Sequence, residues 1–235
     1  GIPNPGEPPL AKFDDFERAT LENGMNIILA ERHAIPVVNM ALSVDAGYAS
    51  DQFSRAGVAK LAMNMMDEGT KSRDALEISD ELITLGATLG TSSSLDTSTV
   101  SMTTLSTTFS DALALFSDVV LNPSFPEKEM ERLRTQQLTG IQREKTSPNA
   151  MAGRVLPKLI FGDNHAYSNP LAGSGTIEST QSISLDELRS FHSTWFKPNQ
   201  ATLIIVGDTT MEDVLPQLQK RFGRWESGDV PSKDL

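Results

Sequence analysis

Cysteine is absent from this 235-residue chain, and no apolar run approaches the roughly 18 residues that a bilayer-spanning helix needs. The chain therefore has neither a disulfide framework nor a thiol nucleophile, which fits either the periplasm or the cytosol. Its first residues also lack the charged and apolar regions of a secretory signal peptide. We therefore predict a protein with no transmembrane segment.

Basic residues are in deficit. There are 20 Lys and Arg against 31 Asp and Glu, which gives a net charge of −11, and the basic residues do not cluster. Nucleic acid and anionic membrane surfaces are therefore excluded as expected partners. The hydrophobic content of 38% is sufficient for one domain with a substantial core.

The two ends of the sequence have a linker-like composition. Four prolines fall in the first nine positions, and residues 1–15 are predicted to form an extended Pro-rich linker. Residues 226–235 are polar, contain Pro and Gly and have no periodicity, so they are predicted to be a tether to a further domain. A single domain is predicted over 16–225.

Hydrophobic patterning predicts both strands and helices, without an internal repeat. Strands are predicted at 27–30, 37–44, twice within 88–104, and at 201–206. Helices are predicted over 57–70, 72–85, 110–121, 127–145, 149–161, 184–196 and 210–222. Gly69 is expected to end the first helix. Consecutive strands and consecutive helices indicate an α+β fold, with a mainly antiparallel sheet packed against several helices.

The helix predicted over 57–70 carries the residues of greatest interest. Lys60, Met63 and Asn64 stand at positions i, i+3 and i+4, so they share one helical face. His, Glu and His at these positions would form H-x-x-E-H, in which two imidazoles bind zinc and the Glu acts as base. This sequence has K-x-x-M-N instead.

The frame around that helix resembles the insulinase/pitrilysin-type (M16) zinc peptidases, which include the mitochondrial processing peptidase. The resemblance covers nearly the whole chain and is carried by four segments: 21–47, with Pro36-Val-Val; 57–70; 86–93; and 165–208, with His165-Ala-Tyr167, Trp195-Phe196 and Pro198-Asn199. It implies the α+β fold of a mitochondrial processing peptidase or insulinase-like domain.

The resemblance also implies where a zinc site would lie. Active relatives supply a third ligand, a Glu on a later helix, and the corresponding position here is Gly140. The ammonium of Lys60 would repel a cation, the amide of Asn64 and the thioether of Met63 suit other metals, and Gly140 has no side chain. We therefore predict that this domain binds no zinc and has no catalytic residue.

Two interpretations of this helix face remain. Lys60 and Asn64 could have acquired a new task, such as holding a substrate carboxylate, or the vanished site could have been filled by packing. We prefer the second interpretation, because a buried Lys needs only one acidic partner. Glu144, one helical turn beyond Gly140, is the predicted partner of Lys60.

The Ser- and Thr-rich strand near residue 90 is the predicted peptide-binding surface. Strands of this composition suit a sheet edge, and in active relatives the corresponding strand pairs with the substrate main chain. An ordinary solvated edge is the alternative. The candidate residues are Gly90, Thr91, Ser92 and Ser93.

Other candidate chemistry is weak. His33, His165 and His192 are isolated from one another in sequence and are interpreted as structural or solvent-facing. Gly173-Ser-Gly175 lacks the G-x-S-x-G frame of a serine nucleophile. A displaced active site using Asp67, Glu68 or Glu144 is disfavoured, because no His accompanies these carboxylates.

The resemblance implies the non-catalytic half of a zinc metallopeptidase. This half would line part of a substrate chamber and bind extended peptide, while a partner domain or subunit bearing H-x-x-E-H supplies the zinc and hydrolyses the peptide. The rival hypothesis is a structural or scaffold subunit without any peptidase role. A periplasmic or otherwise extracytoplasmic location is expected from the resemblance and the missing cysteines.

Overall fold

The computed structural model describes residues 16–234; the linker predicted over 1–15 lies outside this part of the chain. Within it, six strands form one sheet: β1 (Glu17–Thr20), β2 (Asn26–Glu31), β3 (Val37–Val44), β4 (Thr88–Ser93), β5 (Ser98–Leu105) and β6 (Ala201–Gly207). Their spatial order is β1-β2-β6-β3-β5-β4. Only the pairing of β2 with β6 is parallel, so the prediction of a mainly antiparallel sheet is confirmed.

Eight α-helices are described in the same range: α1 (Val58–Met65), α2 (Ala75–Leu85), α3 (Phe109–Leu121), α4 (Glu127–Glu144), α5 (Pro148–Phe161), α6 (Ile177–Ser182), α7 (Leu185–Trp195) and α8 (Met211–Phe222). The α+β class is therefore confirmed. The sequence did not predict α6, whose six residues are too few to display apolar periodicity. None of the described helices combines the length and the apolar character that crossing a membrane requires.

The first helix is shorter than predicted. α1 ends at Met65, and the Met66 N–H donates to the carbonyl of Met63, which tightens the last turn. Gly69 does not end the helix; it forms an isolated bridge with Asp74. The prediction of a helix over 57–70 was wrong at this end because the chain beyond Met66 turns to pair with backbone further along.

One continuous core lies between the sheet and the helices. Strand β6 alternates buried and exposed residues, and Leu203 and Ile205 point fully inward. Helix α1 is almost entirely enclosed, because it packs against α4, α7 and β4 at once. The residues of interest on α1 are therefore held by rigid surroundings on several sides.

The segment after α8 has no helix or strand up to residue 234. It nevertheless lies against the domain: Gly228 and Asn199 exchange two hydrogen bonds, and the Asp234 N–H donates to the Gln52 side chain. Lys233 forms an ion pair with Asp45. That this segment leads to a further domain remains a prediction.

Candidate functional site

A cavity of about 470 Å³ lies between α1 and α4. Lys60 and Asn64 line it from α1, and Gly140 and Glu144 line it from α4. Its other lining residues are Arg132, Thr135, Gln136, Gln137, Thr139, Arg143 and Ser174. A space therefore remains beside Lys60 and Asn64 at this position.

Met63 is the one position of the altered motif that does not line the cavity. Its side chain is fully buried and belongs to the hydrophobic core. A thioether gains free energy from such burial, whereas a carboxylate there would need a partner. The position that carries the general base in H-x-x-E-H motifs thus serves core packing in this chain.

The predicted ion pair between Lys60 and Glu144 is not formed. The Lys60 Nζ donates to the carbonyl of Ala172 at 2.8 Å, and within residues 16–234 it has no ion pair. Glu144 is instead paired with Arg154, at 2.5 Å between Nη1 and Oε2. Arg154 competes successfully for the carboxylate because its guanidinium can bind several acceptors at once.

Arg154 connects three parts of the chain behind the cavity. Its guanidinium also donates to the Ser174 Oγ at 3.0 Å and to the Gly175 carbonyl at 2.6 Å. The Ser174 hydroxyl in turn donates to Glu144 at 3.1 Å. This network joins α5, α4 and the 174–175 loop, and the sequence alone gave no signal for it.

Gln137, one helical turn before Gly140, fixes the position of α1. Its Nε2 donates to the carbonyls of Gly57 and Ser174 at 3.2 and 3.0 Å. Gly57 has φ of 100°, and a Cβ there would lie 2.8 Å from this nitrogen, so glycine is required. In the described part of the chain, the buried Gln137 Oε1 has no hydrogen-bond partner.

Asp51 caps the start of α1 from a distance. Its two carboxylate oxygens accept hydrogen bonds from the Gly57 and Ala59 N–H groups at 2.7 and 2.9 Å. Burial raises the pKa of Asp51 to about 7, although these two bonds oppose the shift. Because the folded-state pKa lies above that of the unfolded chain, the contribution to stability is complete in acid and is lost as pH rises through about 7.

The donor set of the cavity does not fit zinc. Lys60 contributes an ammonium, Asn64 a neutral amide and Gly140 no side chain, whereas zinc sites use thiolate, imidazole and carboxylate ligands. Elsewhere in residues 16–234, no group of three or more His, Cys, Asp or Glu is arranged to hold a metal ion. The side chains that line this cavity therefore do not match a zinc-binding site.

The proposed peptide-binding strand lies where the sequence predicts. β4 is an edge strand of the described sheet and pairs only with β5. Gly90, Thr91, Ser92 and Ser93 are partly or fully accessible along it. Since α1 packs against β4, the edge and the cavity are built on adjoining elements.

The three histidines lie in different surroundings. His192 is half-buried, its Nε2 contacts the Val120 carbonyl at 2.8 Å, and desolvation lowers its pKa. His165 accepts a hydrogen bond from the Tyr167 N–H and stacks on Phe161, so it supports a loop. Exposed His33 contacts Asp208 and Glu31, and the hydrogen bond to Asp208 is the main cause of its raised pKa. None of the three lines the cavity.

Comparison with solved structures identifies close structural neighbours. A crystal structure described as the peptidase M16 inactive domain from Pseudomonas fluorescens aligns with a TM-score of 0.87 and 26% identity over 94% of this chain and 53% of the other. The periplasmic protease PqqL from Escherichia coli has the same fold, with a TM-score of 0.82 and 17% identity over 96% of this chain and 26% of that protein.

Sequence comparison agrees. A relative described as the non-peptidase homolog YmxG from Helicobacter pylori is 24% identical over 82% of this chain and 44% of its own length, so the chain spans about half of such relatives. The family model for insulinase, peptidase family M16, matches residues 26–175, and the model for the peptidase M16 inactive domain matches 182–235. The chain therefore belongs to the insulinase family of peptidases, M16.

Proposed function

We propose that this domain is the non-catalytic half of an insulinase-type zinc metallopeptidase. The observation that carries the proposal is the cavity at the motif position, which presents Lys60, Asn64 and Gly140 in place of metal ligands. In the complete enzyme, zinc and the general base would come from an H-x-x-E-H-bearing partner domain or subunit. The relatives' greater length supports such a partner.

The contribution of this half would be to line the substrate chamber and bind extended peptide. β4 supports this role, because an edge strand can accept a further strand through main-chain hydrogen bonds alone. Binding of this kind requires no catalytic group. An unmethylated peptide should therefore cause NMR shift changes at residues 90–93. The same peptide with N-methylated backbone amides should bind less well.

The partner half would dock on the apolar surface of α5. This helix exposes a set of apolar side chains that are 39–76% accessible to solvent: Met151, Val155, Leu156, Leu159, Ile160 and Phe161. Leu171 extends the same surface and is 57% exposed. Exposed apolar patches of this extent favour association with another protein surface.

Metal analysis and peptidase assays test the proposal directly. The purified chain should contain no stoichiometric zinc and hydrolyse no fluorogenic peptide, and the mixture with a zinc-motif-bearing M16 domain from the same genome should hydrolyse it. Stoichiometric zinc with turnover by the chain alone would refute the proposal. If the complex forms but the partner's peptide hydrolysis and peptide affinity do not change, the scaffold role is supported instead. The description of one relative as a non-peptidase homolog favours that role.

We also propose a periplasmic or otherwise extracytoplasmic location. The support is the fold shared with a periplasmic protease, and the absence of cysteine is compatible with this location. Fractionation of cells that express the natural full-length protein tests this, and recovery solely with cytosolic markers would contradict it.

A further inference from the structure

The cavity between α1 and α4 has an excess of positive charge in a chain whose net charge is −11. Of its charged lining residues, Arg132 is neutralised by Glu68 and Glu129, and Glu144 is neutralised by Arg154. Lys60 and Arg143 remain, and neither forms an ion pair anywhere in residues 16–234. Two uncompensated cations therefore face the same space.

The wall also offers free hydrogen-bonding groups. The ammonium of Lys60 uses one donor on the Ala172 carbonyl and keeps two. The side-chain amide of Asn64, which also lines the cavity, makes no hydrogen bond to any described residue. An anionic group in the cavity could accept hydrogen bonds from both the Lys60 ammonium and the Asn64 amide.

We propose that this cavity is a carboxylate-binding site. Lys60 and Arg143 provide the charge complement, and the Asn64 amide donates a further hydrogen bond to the bound carboxylate. Inorganic phosphate is the competing anion that the titration compares with the carboxylates. The carboxylate could belong to a small organic acid or to the C-terminus of a peptide. The assignment does not depend on peptide binding at β4.

NMR titration of the ¹⁵N-labelled chain tests the site and distinguishes these two sources. The probes are succinate, a short peptide with a free C-terminus, the same peptide as its C-terminal amide, and inorganic phosphate. Saturable shift changes confined to α1, α4 and residues 172–174 are expected with succinate or the free-acid peptide, and none with the amide. Response to the free-acid peptide alone would assign the ligand as a peptide C-terminus, and response to succinate would assign a small organic acid.

Substitutions then identify the groups responsible. Lys60→Met and Arg143→Gln should each weaken carboxylate binding by about tenfold or more, as the loss of a charged hydrogen bond implies. Lys60→Arg should retain binding. Lys128→Met, which removes an exposed lysine of α4 outside the cavity, and Arg189→Gln on α7 are the matched controls and should leave affinity unchanged.

The same spectra report whether each variant folds. Arg143 has no described partner, so Arg143→Gln should preserve the fold even if Lys60→Met disturbs the 172–174 loop. The proposal is overturned if neither carboxylate probe gives saturable shifts, if both folded variants bind as tightly as the unsubstituted chain, or if phosphate alone binds.

Discussion

Removal of Arg154 should weaken the junction of α4, α5 and the 174–175 loop more than any surface substitution. Arg154→Met deletes the guanidinium but keeps much of the side-chain volume. The side chains of Arg154 and Glu144 are only 12% and 17% exposed, so the remaining carboxylate would be left largely desolvated with a single hydroxyl donor, Ser174.

The expected cost is about 3 kcal/mol. Breaking a buried ion pair by removing one partner typically costs 3–5 kcal/mol, and partial exposure places this pair at the lower end of that range. With a urea dependence of about 3 kcal/mol per M for a chain of this size, the unfolding midpoint should fall by about 1 M. Circular dichroism in urea measures this shift.

A double-substitution cycle separates the pair from the loss of side-chain packing. Glu144→Met combined with Arg154→Met should recover at least about 1 kcal/mol relative to the sum of the single variants, because no charge is then left unpaired. Arg189→Met, whose exposed partner is Asp186, is the control and should change stability by less than about 0.5 kcal/mol. A loss below 1 kcal/mol for Arg154→Met, or zero coupling in the cycle, would refute this reasoning.

Three further outcomes are expected. Gly140→Ala should stabilise the chain by up to about 1 kcal/mol in urea, because a Cβ at this helical position meets no atom within 4 Å; destabilisation would reveal a contact that the structure lacks. The free energy of unfolding should decline less between pH 4 and 7 in Asp51→Asn than in the unsubstituted chain, because Asn cannot lose a proton. An equal decline in both would contradict the raised pKa of Asp51. Leu159→Glu should leave stability within about 0.5 kcal/mol, since Leu159 is 76% exposed, yet abolish binding to the partner half; Leu76→Glu, at 74% exposure on α2, is the matched control, and equal loss of binding in both would exclude α5 as the docking surface.

Sequence reasoning located the site through family resemblance rather than through composition. Lys60, Asn64 and Gly140 were expected to meet because of the motif frame, and they do line one cavity. The partner of Lys60 was predicted wrongly, because helical spacing placed Glu144 at the right wall but could not reveal that Arg154 reaches it from α5. Whether Lys60 or Arg154 pairs with Glu144 depends on the packing of α5 against α4, which the sequence does not show.

Element types were largely predictable, but details of their faces were not. Periodicity on α2 marked Leu76, Ile78, Ile83 and Leu85 alike as apolar, yet Leu76 and Ile83 are exposed whereas Ile78 and Leu85 are buried. The pattern indicates a helix, but it does not show which apolar residues face the core and which are exposed to solvent. The early end of α1 was likewise set by later backbone pairing at Gly69 and Thr70.

The position of β6 governs how this chain can be assembled. This late strand inserts between β2 and β3, so the early strands have no common sheet until residues 201–207 are available. During synthesis the first two strands must wait, with open edges, until residues 201–207 have emerged. Cleavage between the segments that match the two family models would therefore leave neither fragment with a complete sheet, although the sequence comparison divides them there.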